Sequence, residues 1–252
     1  MIPQSKGKIY LAEERGLNET DWFRSYNTFN FGKYQHEHKK PFSSLYVLNE
    51  DTLGGGQALN WLIEEDTDII LIPVVGAVVF RDSVGNEDFV EAGAVQILHL
   101  KAESTYVLKN PYPNDLVKYL QLWIKASDYQ TLPHKSAFDL ANYQLSTIFS
   151  HAASGSGAAG YAGSIGKLKG RQEAVYHKEW IDNGIFVFVI QGELEVQYRL
   201  MHEGDGLALW DIDDVEFEAL TNDAILLILE APLLAVGNRE EQNKSFDALP
   251  RS

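Results

Sequence analysis

The 252-residue chain contains no cysteine. Disulfides, thiolate metal ligands and cysteine nucleophiles are therefore excluded from its chemistry. Histidine is nearly absent from the middle of the chain: between His38 and His134 only His99 occurs. Basic residues are few, 21 Lys and Arg against 36 Asp and Glu, for a net charge of -15. Such a surface opposes the phosphate backbone, which needs a basic face to release its counterions, so no direct nucleic-acid partner is expected. No apolar run approaches the roughly 20 residues that cross a bilayer. The longest, residues 69–80, is interrupted by Pro73 and Gly76, and no membrane partner is expected. Met1 to Lys8 is polar and lacks the apolar segment of a secretory leader, which makes the cytoplasm the expected location.

What the chain does have is apolar material, 45% hydrophobic and 12% aromatic residues, enough for one or two cores. Strand signals dominate. Leu45 to Leu48, Ile69 to Phe80, Val90 to Leu100, Thr105 to Leu108 and Val117 to Ile124 are short, rich in β-branched and aromatic residues, and bounded by Gly, Asn, Asp or Pro. The same cadence returns in Tyr143 to Phe149, Gly163 to Leu168, Gly184 to Leu200, Gly206 to Trp210, Val215 to Leu220 and Ala224 to Leu229. Many short strands at this spacing favour an all-β sandwich or barrel. Helical periodicity is weak, and Ala137 to Ala141 is the best case for a turn or two.

An internal repeat sharpens the reading. Ile72-Pro-Val-Val-Gly76-Ala-Val-Val is similar to Phe188-Val-Ile-Gln-Gly192-Glu-Leu-Glu, each a strand, a glycine bend and a strand. A second glycine, Gly93 or Gly204, opens the next strand, and a later strand closes on Asn110 or Asn222. The first copy has a longer hairpin, Arg81-Asp-Ser-Val-Gly-Asn86, whose Gly-Asn suits a tight turn. Two copies of one β-barrel unit follow. The expected boundaries are residues 1–125 for the first domain, a linker over 126–139, a second domain over 140–236 and a polar tail over 237–252.

Asp21-Trp-Phe-Arg-Ser-Tyr-Asn-Thr-Phe-Asn-Phe31 and Leu45-Tyr-Val-Leu-Asn-Glu-Asp51 resemble the N-terminal signature and following strand of the pirins. Arg81 to Asn86 and Leu120-Gln-Leu-Trp-Ile124 are similar to further landmarks of that family, in the same order. The resemblance spans essentially the whole chain, more strongly up to Ile124. It implies two cupin domains, jelly-roll β-barrels in tandem: a bicupin.

Typical pirins hold a metal in the first barrel with a His-x-His pair, a later His and a Glu two residues beyond it. Counting back from Gly76, with Asp68-Ile69-Ile70 matching the residues after the pair, places the pair on Leu62 and Glu64. Counting back from Asn110 places the later His on Tyr106 and the Glu on Leu108. The resemblance would imply iron or another divalent transition metal. The residues present argue against a cofactor: the leucines offer no donor, Tyr106 ligates only as a phenolate, and Glu64 is left alone. Leu62, Glu64, Tyr106 and Leu108 are accordingly the candidate lining of a ligand cavity in the first barrel, with no metal expected there.

Other signals are weaker. Glu64-Glu65-Asp66-Thr67-Asp68 gathers four carboxylates, but without the spaced ligands of a calcium loop it reads as a solvated acidic turn. His36-Glu-His38 lies beside Lys39-Lys40-Pro41 and reads as a surface loop. In the second barrel His151, His177 and His202 sit in separate segments, while Tyr176, His177, Phe188, Tyr198 and Trp210 would line a cavity or simply pack its core. The Gly/Ser-rich run His151 to Gly160 lacks a phosphate-loop pattern, and no Gly-x-Ser-x-Gly elbow occurs. Two functions are left standing. One is a metal-free pirin-like protein that takes a small molecule or a protein partner; the other is a quercetin 2,3-dioxygenase-type oxidoreductase with a rearranged metal site.

Overall fold

Glycines stand where the backbone must turn through the left-handed region. Gly76 (φ 76°) and its repeat counterpart Gly192 (φ 79°) both adopt it, as do Gly93 (φ 90°) and Gly204 (φ 83°). The repeated glycines are thus repeated backbone bends, placed where a side chain would be strained. Gly85 (φ 95°) turns the longer hairpin, and Asp82 closes it by accepting hydrogen bonds from the Val84 and Asn86 amides at 3.1 and 2.8 Å.

The computed structural model describes residues 5–126, 133–152 and 160–233. The first half of the chain forms β1 (Gly7–Tyr10), β2 (Gly16–Glu19), β3 (Phe23–Asn27), β4 (Leu45–Leu53), β5 (Ala58–Leu62) and β6 (Thr67–Val75). It continues with β7 (Ala77–Asp82), β8 (Glu87–Glu91), β9 (Ala94–Leu100), β10 (Thr105–Lys109) and β11 (Val117–Lys125). The second half forms β12 (His134–Ala137), β13 (Leu145–His151), β14 (Tyr161–Leu168), β15 (Glu173–His177) and β16 (Asn183–Gln191). Then come β17 (Leu194–Val196), β18 (Arg199–Met201), β19 (Gly206–Leu209), β20 (Asp214–Ala219) and β21 (Ala224–Pro232).

Each half folds as a sandwich of a large and a small antiparallel sheet. The orders are β12-β9-β6-β11-β4-β3-β2 and β5-β10-β7-β8 in the first, and β1-β19-β16-β21-β14-β13 and β15-β20-β17-β18 in the second. Strand for strand, β4 to β11 repeat as β14 to β21, so the structure is a tandem pair of cupin barrels. The outermost strands cross between them. β1 precedes the first barrel in sequence yet pairs with β19 of the second, and β12 pairs with β9 of the first. Compact units accordingly divide near Glu14 and Ala137.

Three expectations change. β1 leaves the first domain proposed over residues 1–125, and β12 turns part of the 126–139 linker into an edge strand. Ala137 to Ala141 is not helical, because Ala137 ends β12; among the described residues the helical element is a 3-10 turn over Ala12–Glu14. Edge pairing decides these short segments, which carry too few apolar residues to announce a strand. The polar tail over 237–252 lies outside the described residues.

Alternation along the strands fills each barrel. In β11, Val117, Tyr119, Gln121 and Trp123 face the interior of the first barrel, opposite Leu53, Asp51, Asn49 and Val47 of β4. Ile185, Val187 and Val189 of β16 with Leu226 and Ile228 of β21 do the same in the second.

Candidate functional site

The register of β5 against β10 settles which side chains enter the first barrel. Tyr106 lies opposite Trp61, Leu108 opposite Leu59, and Thr105 opposite Leu62. Tyr106, Leu108, Leu59, Trp61 and Ile63 are buried in the core, whereas Leu62 is 37% exposed and Glu64 is exposed. The structure therefore brings Tyr106 and Leu108 together but turns Leu62 and Glu64 to the outer side. A sequence count that slips by one residue exchanges the two faces of a strand, and this accounts for the correction. Trp61 and Ile63 take the inward places.

These inward residues belong to an aromatic cluster. Trp123 is its centre, with ring centroids 5.6 Å from Phe31, 5.9 Å from Tyr46, 6.1 Å from Trp61 and 6.2 Å from Tyr106. All four contacts are edge-on, the arrangement favoured by ring quadrupoles. Phe31 also packs on Trp61 at 5.5 Å.

A buried polar niche adjoins the rings. Gln121 accepts hydrogen bonds at its Oε1 from the Tyr106 hydroxyl at 2.7 Å and from Trp123 Nε1 at 3.1 Å, and donates through Nε2 to Asp51. Across β3 and β4, Ser25 faces Asp51 and Asn27 faces Asn49. Asn27 donates to Ser25 at 2.9 Å and accepts from Asn18 at 2.6 Å. Burial pushes the Asp51 carboxyl up to about 7, against the opposing effect of its polar neighbours Ser25, Gln121 and Tyr119, of which Gln121 donates a hydrogen bond to it. A cavity of about 430 Å³ leads from this region toward the surface; Leu17, Asn18, Phe23, Ser25, Phe31 and Trp61 are among its walls. Its volume falls within the range of small-molecule sites.

The residues present do not fit a transition metal at the position the resemblance indicates. Burial holds the Tyr106 phenol well above its ordinary value, and its proton is given to Gln121, so the phenolate that would ligate is disfavoured. Trp61, Ile63 and Leu108 offer no lone pair to a metal. Among the described residues no group of three or more His, Asp or Glu is placed to hold one elsewhere. The acidic run disperses: Glu65 pairs with Lys125 at 2.9 Å, Asp66 accepts from the Ala102 amide at 2.8 Å, and Asp68 lies 2.5 Å from His99 Nδ1. Asp68 is thus a buried partner of His99, and only part of the expected acidic turn is solvated. His36 and His38 stand on an exposed loop.

Among the described residues the second barrel gathers no comparable set. His177 is exposed and pairs with Asp214 at 2.7 Å, His202 lies 3.6 Å from Asp205, and His151 stacks on Tyr161 at 5.2 Å. Tyr176 donates to Glu230 at 2.9 Å, Tyr198 is exposed, and Phe188 faces away from the interior row of β16. The aromatic residues proposed to line a cavity there do not converge.

Residues 10–124 match the family model described as Pirin, and residues 163–230 match the one described as the quercetinase C-terminal cupin domain. This chain belongs to the pirin family. A relative from Escherichia coli K12 named quercetin 2,3-dioxygenase is 26% identical over 226 residues, covering 87% of this chain and 97% of its own. Pirin-like protein YhaK of the same organism is 27% identical over 175 residues, covering 69% of this chain and 70% of its own. The crystal structure of E. coli YhhW superposes with a TM-score of 0.80 at 25% identity, over 91% of this chain and 99% of that one. A structure of bacterial pirin YhhW in complex with nickel(II) shares the fold, with a TM-score of 0.79 at 23% identity, over 91% of this chain and all of that one.

Within this pirin, sequence reading missed Asp51, Asn49, Gln121 and Trp61 as neighbours of Tyr106. A signal was present. Asn49 and Asp51 fall on the same face of β4 as Val47 and Leu53, and polar residues on a buried face require partners.

Proposed function

We propose that this pirin works without a transition metal in its first barrel, as a binding protein for a small molecule. One observation carries the reading: the inward positions around Tyr106 are occupied by Trp61, Ile63 and Leu108, and the Tyr106 hydroxyl is engaged by Gln121. A tryptophan, an isoleucine and a leucine cannot replace imidazoles, and iron, copper or nickel held by waters and one distant carboxylate would exchange freely. The neighbouring 430 Å³ cavity, with its aromatic walls, supplies the volume for an organic ligand. A quercetin 2,3-dioxygenase activity, as in the name of the E. coli relative, is the competing reading and requires a metal centre assembled from other residues.

Elemental analysis of protein purified without a histidine tag tests this. The expected result is substoichiometric iron, copper, nickel and manganese, and a melting temperature unchanged by added divalent metal. Stoichiometric metal, or a rise in melting temperature on adding divalent metal, would overturn the reading.

A further inference from the structure

The 430 Å³ cavity of the first barrel is walled by β2, the edge strand of the large sheet, with β3 beside it, and by Trp61 of β5, the edge strand of the small sheet. Its floor is made by the buried rings of Phe23, Phe31 and Trp61. Leu17 stands on the rim, 51% exposed, an apolar side chain that a ligand in the cavity would take out of water.

Lys33 shares that rim. It lies in the two-residue turn between Phe31 and Tyr34, which exchange backbone hydrogen bonds at 3.1 and 3.0 Å, and Gly32 (φ 55°) supplies the left-handed residue of the turn. Tyr34 packs against Gly16 of β2, where any Cβ would clash with its ring. The turn is thus fastened to β2, and Lys33 is held at the mouth of the cavity.

Among the described residues Lys33 is exposed and has no ion-pair or hydrogen-bond partner. The other charged wall residue, Glu19, is already matched: Arg24 donates to its Oε1 through Nε at 2.7 Å and through a second guanidinium nitrogen. The local charge is inverted as well, since residues 32–40 carry three lysines and one glutamate in a chain of net charge -15. An unmatched cation beside an aromatic cavity is complementary to a ligand with a flat apolar body and one anionic end. One ammonium, with Arg24 committed to Glu19, suits a carboxylate better than a phosphate monoester, which carries nearly two charges. A volume toward the lower end of the range for small-molecule sites sizes the body at one or two rings.

We propose that this cavity binds a planar aromatic monocarboxylate: Phe23, Phe31 and Trp61 receive the ring system, Leu17 covers its edge, and Lys33 pairs with the carboxylate at the mouth. The assignment rests on the reading of this barrel as a metal-free small-molecule binder and gives it a ligand class.

The probes are 2-naphthoate, its neutral isostere 2-naphthamide and the flexible acid octanoate, titrated calorimetrically into the full chain with EDTA present. Saturable binding of 2-naphthoate is expected at low salt, about fivefold tighter than that of 2-naphthamide, the upper range for an ion pair at the surface. The preference should fade in about 0.5 M salt, which screens exposed charges. Lys33→Met keeps the apolar stem and removes the charge; it should equalise the two naphthyl probes and leave the affinity for 2-naphthamide at the parent value. Octanoate, which has no ring to set against the aromatic floor, should bind several-fold more weakly than 2-naphthoate. Absence of saturable binding, a naphthoate preference that Lys33→Met leaves intact, or octanoate bound as tightly as 2-naphthoate overturns the assignment. Metal content, measured before EDTA is added, separates the two claims. Stoichiometric metal alongside Lys33-dependent naphthoate binding sinks the metal-free reading alone; a metal-free protein indifferent to all three probes sinks the aromatic-acid site alone.

Discussion

Replacing Asp51 by asparagine should flatten the dependence of stability on pH. Asp51 is fully buried against Ser25, Gln121 and Tyr119, and its carboxyl is pushed up to about 7. In the unfolded chain an aspartate titrates near about 3.9. As pH rises past that lower value the unfolded chain gives up the proton while the folded one retains it. Unfolding then releases a proton, and stability falls with pH until the folded carboxyl itself ionises at about 7. The gap of about 3 pH units corresponds to about 4 kcal/mol for the fully ionised form. About half of that is already lost by about pH 5.5, so between about pH 5.5 and about pH 8.5 the group's own contribution falls by a further ~2 kcal/mol. Asparagine keeps an acceptor for Gln121 and carries no charge to desolvate. Urea unfolding followed by tryptophan fluorescence, at several pH values in that interval, should show the variant gaining about 2 kcal/mol on the parent as pH rises. Parallel profiles for the two proteins would refute the reasoning, because they would mean that Asp51 titrates alike in the folded and unfolded chains.

Trp123→Ala should cost about 3–5 kcal/mol, the range for deleting a large buried aromatic, since Trp123 touches Phe31, Tyr46, Trp61 and Tyr106 and donates to Gln121; chemical denaturation monitored by circular dichroism reads it. Asp205 accepts from the Ala12 amide at 2.7 Å and the His202 amide at 2.8 Å, and so ties the segment after β1 to the second barrel. Asp205→Ala should speed amide exchange over Gly7–Tyr10, measured by hydrogen-deuterium exchange mass spectrometry, while residues 45–53 keep the parent rates.

Much of the architecture could be read directly. The paired glycines Gly76 and Gly192, Gly93 and Gly204 announced a repeat because a left-handed bend admits few other residues, and all four bends occur. Alternating β-branched and aromatic runs marked β4, β6, β9, β11, β16 and β21, whose burial is written in their composition. The short strands β1, β2, β12 and β15 were not legible, since what stabilises them is a neighbour's hydrogen bonds and not their own side chains.

For the site, the same division holds. The absence of histidine from residues 39–98, the phenol of Tyr106 and the lack of any donor at Leu108 were properties of composition. Which side chains stand inside was not, because a strand shows its two faces in alternation and one residue of offset exchanges Leu62 for Trp61. Only the pairing of β5 with β10 resolves that choice. The niche around Asn49 and Asp51 depends still more on folding: its members come from β3, β4, β5 and β11, and their missing or completed hydrogen bonds exist only once those strands close around a common interior.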